Sequence, residues 1–302
     1  MDFGKLQDIS QVNFPLPPDH PDTLPLLNRL KQTTKPQVYI GLPVWVNKSW
    51  IGGIYPATMR EKDSLLWYSK QFKTIELNST HYHIPGPDTI ERWKQSVPQD
   101  FRFCPKFPQL ISHESQLRKT QDITAAFCES ISGLEEKLGD SFLQLPPYFT
   151  PNQLPDLEEF IKFVPETVPL AVELRHLDWY VDNIASLELF NVLEKYRVGT
   201  VITDVAGRRD VLHMRLTTPS AMVRFVGNGL HPTDYTRIDD WVARIKTWLD
   251  NGLQQLYFFV HEPDNTLAPD LAIYLMENLN KVCGLDLKLP KKYSQPVQGE
   301  LF

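Results

Sequence analysis

Cysteine is scarce in this chain, and the little there is does not cluster. Cys104, Cys128 and Cys283 are odd in number and form no C-x-x-C pair, which excludes a disulfide scaffold or a zinc ribbon and fits a reducing compartment. Read singly, each is a small buried apolar residue. No apolar run approaches the about 20 residues needed to span a bilayer, and the N-terminus, MDFGKLQDIS, has no basic segment ahead of an apolar core. The expectation is a cytoplasmic protein with no membrane partner. Positive charge is in deficit too: a formal charge of −6 opposes polyanion binding by the surface as a whole and confines any nucleic-acid contact to a local basic pocket. The fingerprints HExxH, GxxxxGK[ST], GxSxG and the Rossmann glycines are all missing, which counts against zincin, P-loop, α/β-hydrolase and dinucleotide-binding chemistry.

What is present is repetition. Eight short β-like runs, VYIGL, TIELN, FRFCPK, FLQL, LAVELR, TVITD, MVRFVG and LYFFVHE, alternate with amphipathic stretches and lead into charged or hydrogen-bonding groups. That alternation predicts parallel strands joined by crossover helices, and eight such units match a single-domain α/β fold, the (β/α)8 TIM barrel. The expected boundaries are an extended, proline-rich N-terminal arm over 1–36, the barrel over 37–283, and a short tail over 284–302 that leaves the folded body. Apolar recurrence at three and four predicts helices over 58–72, 87–97, 116–138, 152–164, 183–196, 232–251 and 268–282. The stretch after Asp204, AGRRDVLHMRLTTPS, lacks that pattern and reads as a loop able to reach over the barrel mouth.

Side chains alternate along a strand, so parity sorts each run into helix-facing apolar residues and barrel-facing polar ones. Glu76, Asn78, Arg102, Cys104, Lys106, Gln144, Glu173, Arg175, Asp204, Arg224 and His261 fall on the inward set. Charge in a closed core is costly unless it pairs or serves a ligand. Glu76, Arg102, Glu173 and Arg224 can form an ion-pair network; Lys106, Arg175, Asp204 and His261 stand where barrel ligands bind. Trp45, Trp50, Tyr82 and Trp179 lie in the loops that frame the mouth and offer stacking surfaces for a sugar or a base. His81 and His83, with Asp204, Glu173 and His261, carry donors that suit a divalent metal, but the pair lacks a third ligand nearby, so no metal ligands and no cofactor are assigned.

Taken in order, seven motifs resemble one family. They are G-x-x-x-W (Gly41 to Trp45), W-x-G-x-x-Y-P (Trp50 to Pro56), I-E-L-N-S-T-x-Y (Ile75 to Tyr82), R-W (Arg92, Trp93), P-x-D-F-R-F-x-x-K (Pro98 to Lys106), L-G-D-S-F-L-Q-L-P-P (Leu138 to Pro147) and V-E-L-R-H-x-x-W (Val172 to Trp179). The family is the YecE-like one, domain of unknown function 72, and the resemblance spans about residues 38 to 283. It implies a TIM barrel similar to the endonuclease IV and xylose isomerase group, with pocket positions at Trp45, Glu76, Asn78, Tyr82, Lys106, Gln144, Glu173, Arg175, Trp179, Asp204 and Arg224. It supplies no reaction. Two departures stand out: Arg224, Phe225, Val226, Gly227 where many members have R-x-H-G, and Phe259, Val260, His261 where many have F-N-N.

Three functions compete. In the first the chain is an enzyme acting on a phosphorylated sugar or a nucleic-acid phosphodiester, with Lys106, Arg175 and Arg224 on the phosphate, Glu173 or Glu76 as general base, and Asp204 orienting or holding a metal. In the second it is a non-catalytic nucleic-acid accessory protein that takes an unstacked nucleotide between aromatics. In the third it is a glycoside hydrolase whose carboxylate pair is Glu76 and Glu173. The chain ends in Q-G-E-L-F, where Gln298, Leu301 and Phe302 resemble the Q-x-x-L-F type of pentapeptide that docks on the bacterial sliding clamp; two apolar anchors and one hydrogen-bonding edge residue would carry such binding.

Overall fold

A computed structural model describes residues 4–181 and 183–293. In chain order the elements are α1 (Thr23–Arg29), β1 (Gln37–Leu42), α2 (Ser64–Gln71), β2 (Thr74–Leu77), α3 (Pro87–Ser96), β3 (Arg102–Pro105), α4 (Gln121–Ser132), β4 (Ser141–Gln144), α5 (Leu154–Phe163), β5 (Leu170–Glu173), α6 (Asp178–Val181), α7 (Asn183–Lys195), β6 (Gly199–Asp204), β7 (Ser220–Val226), α8 (Pro232–Asp250), β8 (Gln255–His261) and α9 (Ala268–Cys283). The eight strands form one parallel sheet in the order β3-β2-β1-β8-β7-β6-β5-β4. The β3–β4 seam is drawn together by a bridge between Lys106 and Phe142, where the Phe107 N–H donates to the Phe142 carbonyl at 2.9 Å. The chain is therefore a (β/α)8 TIM barrel. Among the described residues no helix is long and apolar enough to cross a membrane.

Parity places the strands as their pattern requires. Tyr39, Cys104, Phe142, Ala171, Val201, Met222, Tyr257 and Phe259 fill the barrel interior, and the neighbouring strand positions pack outward into two apolar shells beneath the helices. Burying fully enclosed Trp179, Trp241 and Trp248 contributes roughly 2–3 kcal/mol each, so these shells carry much of the stability. Gly41 faces the barrel where a Cβ would stand 2.3 Å from the Thr74 carbonyl oxygen, so only glycine lets β1 lie this close to β2. Proline in the first turn starts α3, α5, α8 and α9, and Gly284 ends α9 in the left-handed conformation at φ +66°.

Three expectations need correction. The stretch 116–138 is not one helix: Gln116, Leu117, Lys119 and Glu135 all have positive φ, which confines the helix to α4. The N-terminal arm is not extended throughout, because Leu26 and Leu27 anchor the helix α1 in the outer core. From Gly4, bonded to Gly207 above β6, the arm runs past Asp19, which pairs with Arg244 of α8, to Lys31, whose amine donates to the Asp250 carbonyl. Residues 284–293 do not leave the body: the Lys291 N–H donates to Gln71 Oε1 at 2.7 Å and the Tyr293 N–H to the Gly53 carbonyl at 2.6 Å. Gln298, Leu301 and Phe302 lie outside the described residues.

Candidate active site at the strand C-terminal ends

Five strands send a polar side chain into the upper barrel, and those side chains form one connected network. The Arg224 guanidinium on β7 grips Glu76 of β2 with two bonds, Nε to Oε2 at 3.0 Å and Nη2 to Oε1 at 2.9 Å. Its Nη1 reaches Glu173 of β5 at 2.8 Å. The Arg175 Nε donates to the other Glu173 oxygen at 2.6 Å, and Gln144 of β4 donates its amide to Glu173 Oε2 at 2.8 Å. His261 of β8 and Asn78 complete the shell of Glu76, each at 2.8 Å. Gln144 Oε1 in turn accepts from the Lys106 amine at 2.8 Å, just past β3.

All four carboxylate oxygens are thus occupied. Burial works to raise the Glu76 pKa, yet Arg224 and then His261 outweigh it and hold the carboxyl well below the usual range. For Glu173 the same contest, burial against Arg175 and Arg224, ends at about 2. Carboxylates held this acidic take up protons poorly near neutral pH, so neither suits the role of general base, and neither remains protonated to serve as the acid of a glycosidase pair. Arg224 and Arg175 pair with these two carboxylates, while Lys106 has no ion pair among the described residues, and burial together with Arg224 brings its pKa down to about 7.

Two histidines stand on the same side of the mouth. The His81 Nδ1 lies 2.7 Å from the Phe107 carbonyl, and its ring meets His113 edge-on at 5.2 Å. Burial and then Lys106 lower both rings to about 4, so they are neutral at physiological pH; Nδ1–H of His81 donates to Phe107 and leaves Nε2 as an acceptor. Beyond them Tyr82 is 74% exposed and Tyr148 is 55% exposed, the latter donating its hydroxyl to the His113 carbonyl at 3.1 Å. Trp45 is half-buried, edge-on to Trp93.

The remaining expected site residues lie elsewhere. Asp204 points away from the barrel and is fully buried under α8, where Arg237 Nη2 donates to it at 2.7 Å, Trp241 Nε1 at 2.8 Å, and Arg209 pairs with it as well. Parity could not decide this strand, because in TVITD both Val201 and Ile202 are apolar and β6 is buried on both faces. Arg102 also drops out of the network: its guanidinium sits at the opposite end of the barrel, donating to the Gln99 and Phe101 carbonyls. Trp179 is no platform, since it is wholly buried, stacks on Phe149 and donates to the Phe149 carbonyl at 2.8 Å. Trp50 is likewise 2% exposed, with its indole N–H on the carbonyls of Asn265 and Thr266. With Asp204 outside and His83 exposed, the donors considered for a metal do not come together, and among the described residues no group of three or more His, Cys, Asp or Glu does so.

Sequence reasoning missed His113, Tyr148 and Arg208, all in loops that follow strand C-terminal ends. Arg208 belongs to the 3-10 turn Ala206–Val211 that replaces a helix after β6, and its Nη2 donates to the Arg175 carbonyl at 2.9 Å, so this loop does reach the mouth. The loop position itself was the available signal.

A family model described as "Protein of unknown function DUF72" matches residues 39–294. The chain is similar to UPF0759 protein YecE of Escherichia coli K12, with 32% identity over 284 residues, covering 88% of this chain and 100% of that one. UPF0759 protein YunF of Bacillus subtilis 168 is 27% identical over 150 residues, 47% of this chain and 52% of that one. Crystal structures of DUF72 family proteins share the fold: one from Enterococcus faecalis V583 has a TM-score of 0.64 at 20% identity, covering 83% of this chain and 98% of its own. Another, from Thermotoga maritima MSB8, has a TM-score of 0.63 at 22% identity, covering 81% and 99%.

Proposed function

The chain belongs to the DUF72 family of proteins of unknown function, and from the chemistry of its pocket we propose that it is a cytoplasmic enzyme acting on a phosphorylated sugar or a nucleic-acid phosphodiester. Lys106 carries this reading: a buried amine at a strand end, without a carboxylate partner among the described residues, and poised to titrate at about 7. In this reading Arg175 steers the anion, Lys106 is the reacting amine, and the neutral rings of His81 and His113 with exposed Tyr82 and Tyr148 border the sugar or base. Arg224 is committed to Glu76 and Glu173, so its part is to hold the pocket in shape rather than to grip phosphate.

The test is a calorimetric titration of ribose 5-phosphate and of a dinucleotide into wild type, Lys106→Met and Arg175→Met at two salt concentrations. Weaker, less salt-sensitive binding by the variants is expected; equal affinity in all three, or none in wild type at millimolar ligand, removes the proposal. A second reading, a non-catalytic accessory protein that holds an unstacked nucleotide, draws on exposed Tyr82 and Tyr148 and on the sequence of the tail. Its partner would be the bacterial sliding clamp. A peptide of Ser294 to Phe302 that fails to bind a clamp, or binds unchanged when Leu301 and Phe302 become alanine, excludes that partner.

A further inference from the structure

We propose that Lys106 is the nucleophile of the pocket and forms an imine with the carbonyl carbon of an open-chain sugar phosphate. This rests on the reading that the pocket takes a phosphorylated sugar, and narrows it to one that presents an aldehyde or ketone.

The argument begins with hydrogen-bond arithmetic. An ammonium has three N–H groups to place, but among the described residues the Lys106 amine has one partner, Gln144 Oε1, and no ion pair. The neighbouring carboxylates are engaged elsewhere, Glu76 by Arg224, His261 and Asn78 and Glu173 by Arg175, Gln144 and Arg224, and among the described residues neither pairs with Lys106. A neutral amine fits this surrounding better, because one N–H suffices for Gln144 and a lone pair stays available. Gln144 is the positioning residue: Glu173 accepts its Nε2–H, which forces Oε1 toward Lys106 and fixes where the amine stands. Burial to 5% exposure, and then the neighbouring cations Arg224 and Arg175, favour the uncharged form, as in other desolvated lysines that become nucleophiles.

The step balances without an outside oxidant or reductant. The Nζ lone pair bonds to the carbonyl carbon while the C=O π pair moves to oxygen; one N–H proton passes to that oxygen through solvent and gives the carbinolamine. The second N–H proton then leaves with the hydroxyl as water, and the C=N bond remains. In the proposed reading the phosphate of the same molecule falls to Arg175, which stands two residues beyond Glu173 and pairs with it.

The experiment uses the full chain. Wild type is incubated with D-glyceraldehyde 3-phosphate, and separately with D-glyceraldehyde, in sodium cyanoborohydride at pH 7.5, and peptides are mapped by mass. Lys106 should be reductively alkylated at least about tenfold faster than exposed lysines such as Lys62 and Lys119, and Gln144→Leu should slow Lys106 alone. Modification of Lys106 no faster than the exposed lysines overturns the inference. The two readings separate cleanly. Binding of inorganic phosphate without a Lys106 adduct leaves the phosphate site and sinks the imine; an adduct that forms equally fast with glyceraldehyde keeps the imine and sinks the phosphate.

Discussion

Replacing Lys106 by methionine should stabilise the protein at mildly acid pH, although the lysine is central to its proposed chemistry. At pH 6 the amine is protonated in both the folded and the unfolded chain, but in the folded chain the ammonium is buried beside Arg224. A pKa that falls from 10.5 to about 7 corresponds to about 5 kcal/mol of unfavourable placement, at ~1.4 kcal/mol per pH unit. Methionine fills a similar volume without charge. Against this, Gln144 Oε1 loses its donor, which costs about 1–3 kcal/mol. A net gain of about 2–4 kcal/mol at pH 6 is expected, and its pH dependence identifies the cause. Because the folded pKa lies below the unfolded one, the folded wild type holds fewer protons between pH 7 and 10.5, and its stability rises across that window. The advantage of Lys106→Met should therefore shrink by ~1.4 kcal/mol per pH unit above pH 7, vanish between about pH 8.5 and 10, and give way to a deficit of about 1–3 kcal/mol by 10.5, where only the lost Gln144 bond remains. Urea unfolding of both proteins at pH 6, 7.5 and 9, followed by tryptophan fluorescence, measures it. A variant less stable than wild type at pH 6, or a difference that stays constant from pH 7 to 9, would refute the reasoning.

Glu173→Gln leaves Arg224 and Arg175 short of a buried counter-charge and should cost about 3–5 kcal/mol by urea unfolding. The folded carboxyl is depressed to about 2, so its contribution is complete above the ordinary 4.5 and is lost as pH falls toward 2; the variant should show a flatter acid limb. Asp204→Asn should lower stability by about 3–5 kcal/mol, because Arg237 and Arg209 lose their shared anion, while ligand affinity at the mouth stays as in wild type. A loss of affinity in a folded Asp204→Asn protein would return Asp204 to the site. Tyr82→Ala should change stability by less than about 0.5 kcal/mol yet weaken nucleotide binding by about 1–3 kcal/mol in calorimetry; Trp179→Ala should show the reverse, a loss of about 3–5 kcal/mol in stability with binding kept.

The one-dimensional pattern was enough for the barrel and for most of its polar interior. Strand runs such as TIEL and RFCP alternate cleanly, so the register that turns Ile75 and Phe103 outward must turn Glu76, Cys104 and Lys106 inward. Where both parities are apolar, as in TVITD, the pattern carries no direction, and only the arrival of Arg237 and Trp241 from α8 decided that Asp204 faces the helices. An arginine on the apolar face of α8, between Asp234 and Ile238, was the trace of that pairing. Likewise the order of residues separates a ring that follows a strand from one that precedes it, but not a wet ring from a packed one. Tyr82 stays exposed because it stands on the rim, and Trp179 is enclosed because Phe149 from the neighbouring loop closes over it. The chemistry of the pocket was decided by tertiary structure alone. Whether Glu173 is a base or a salt-bridged strut depends on how many donors converge on two oxygens: Arg175 follows it by two residues, but Gln144 of β4 and Arg224 of β7 come from strands that only the barrel brings within hydrogen-bonding distance.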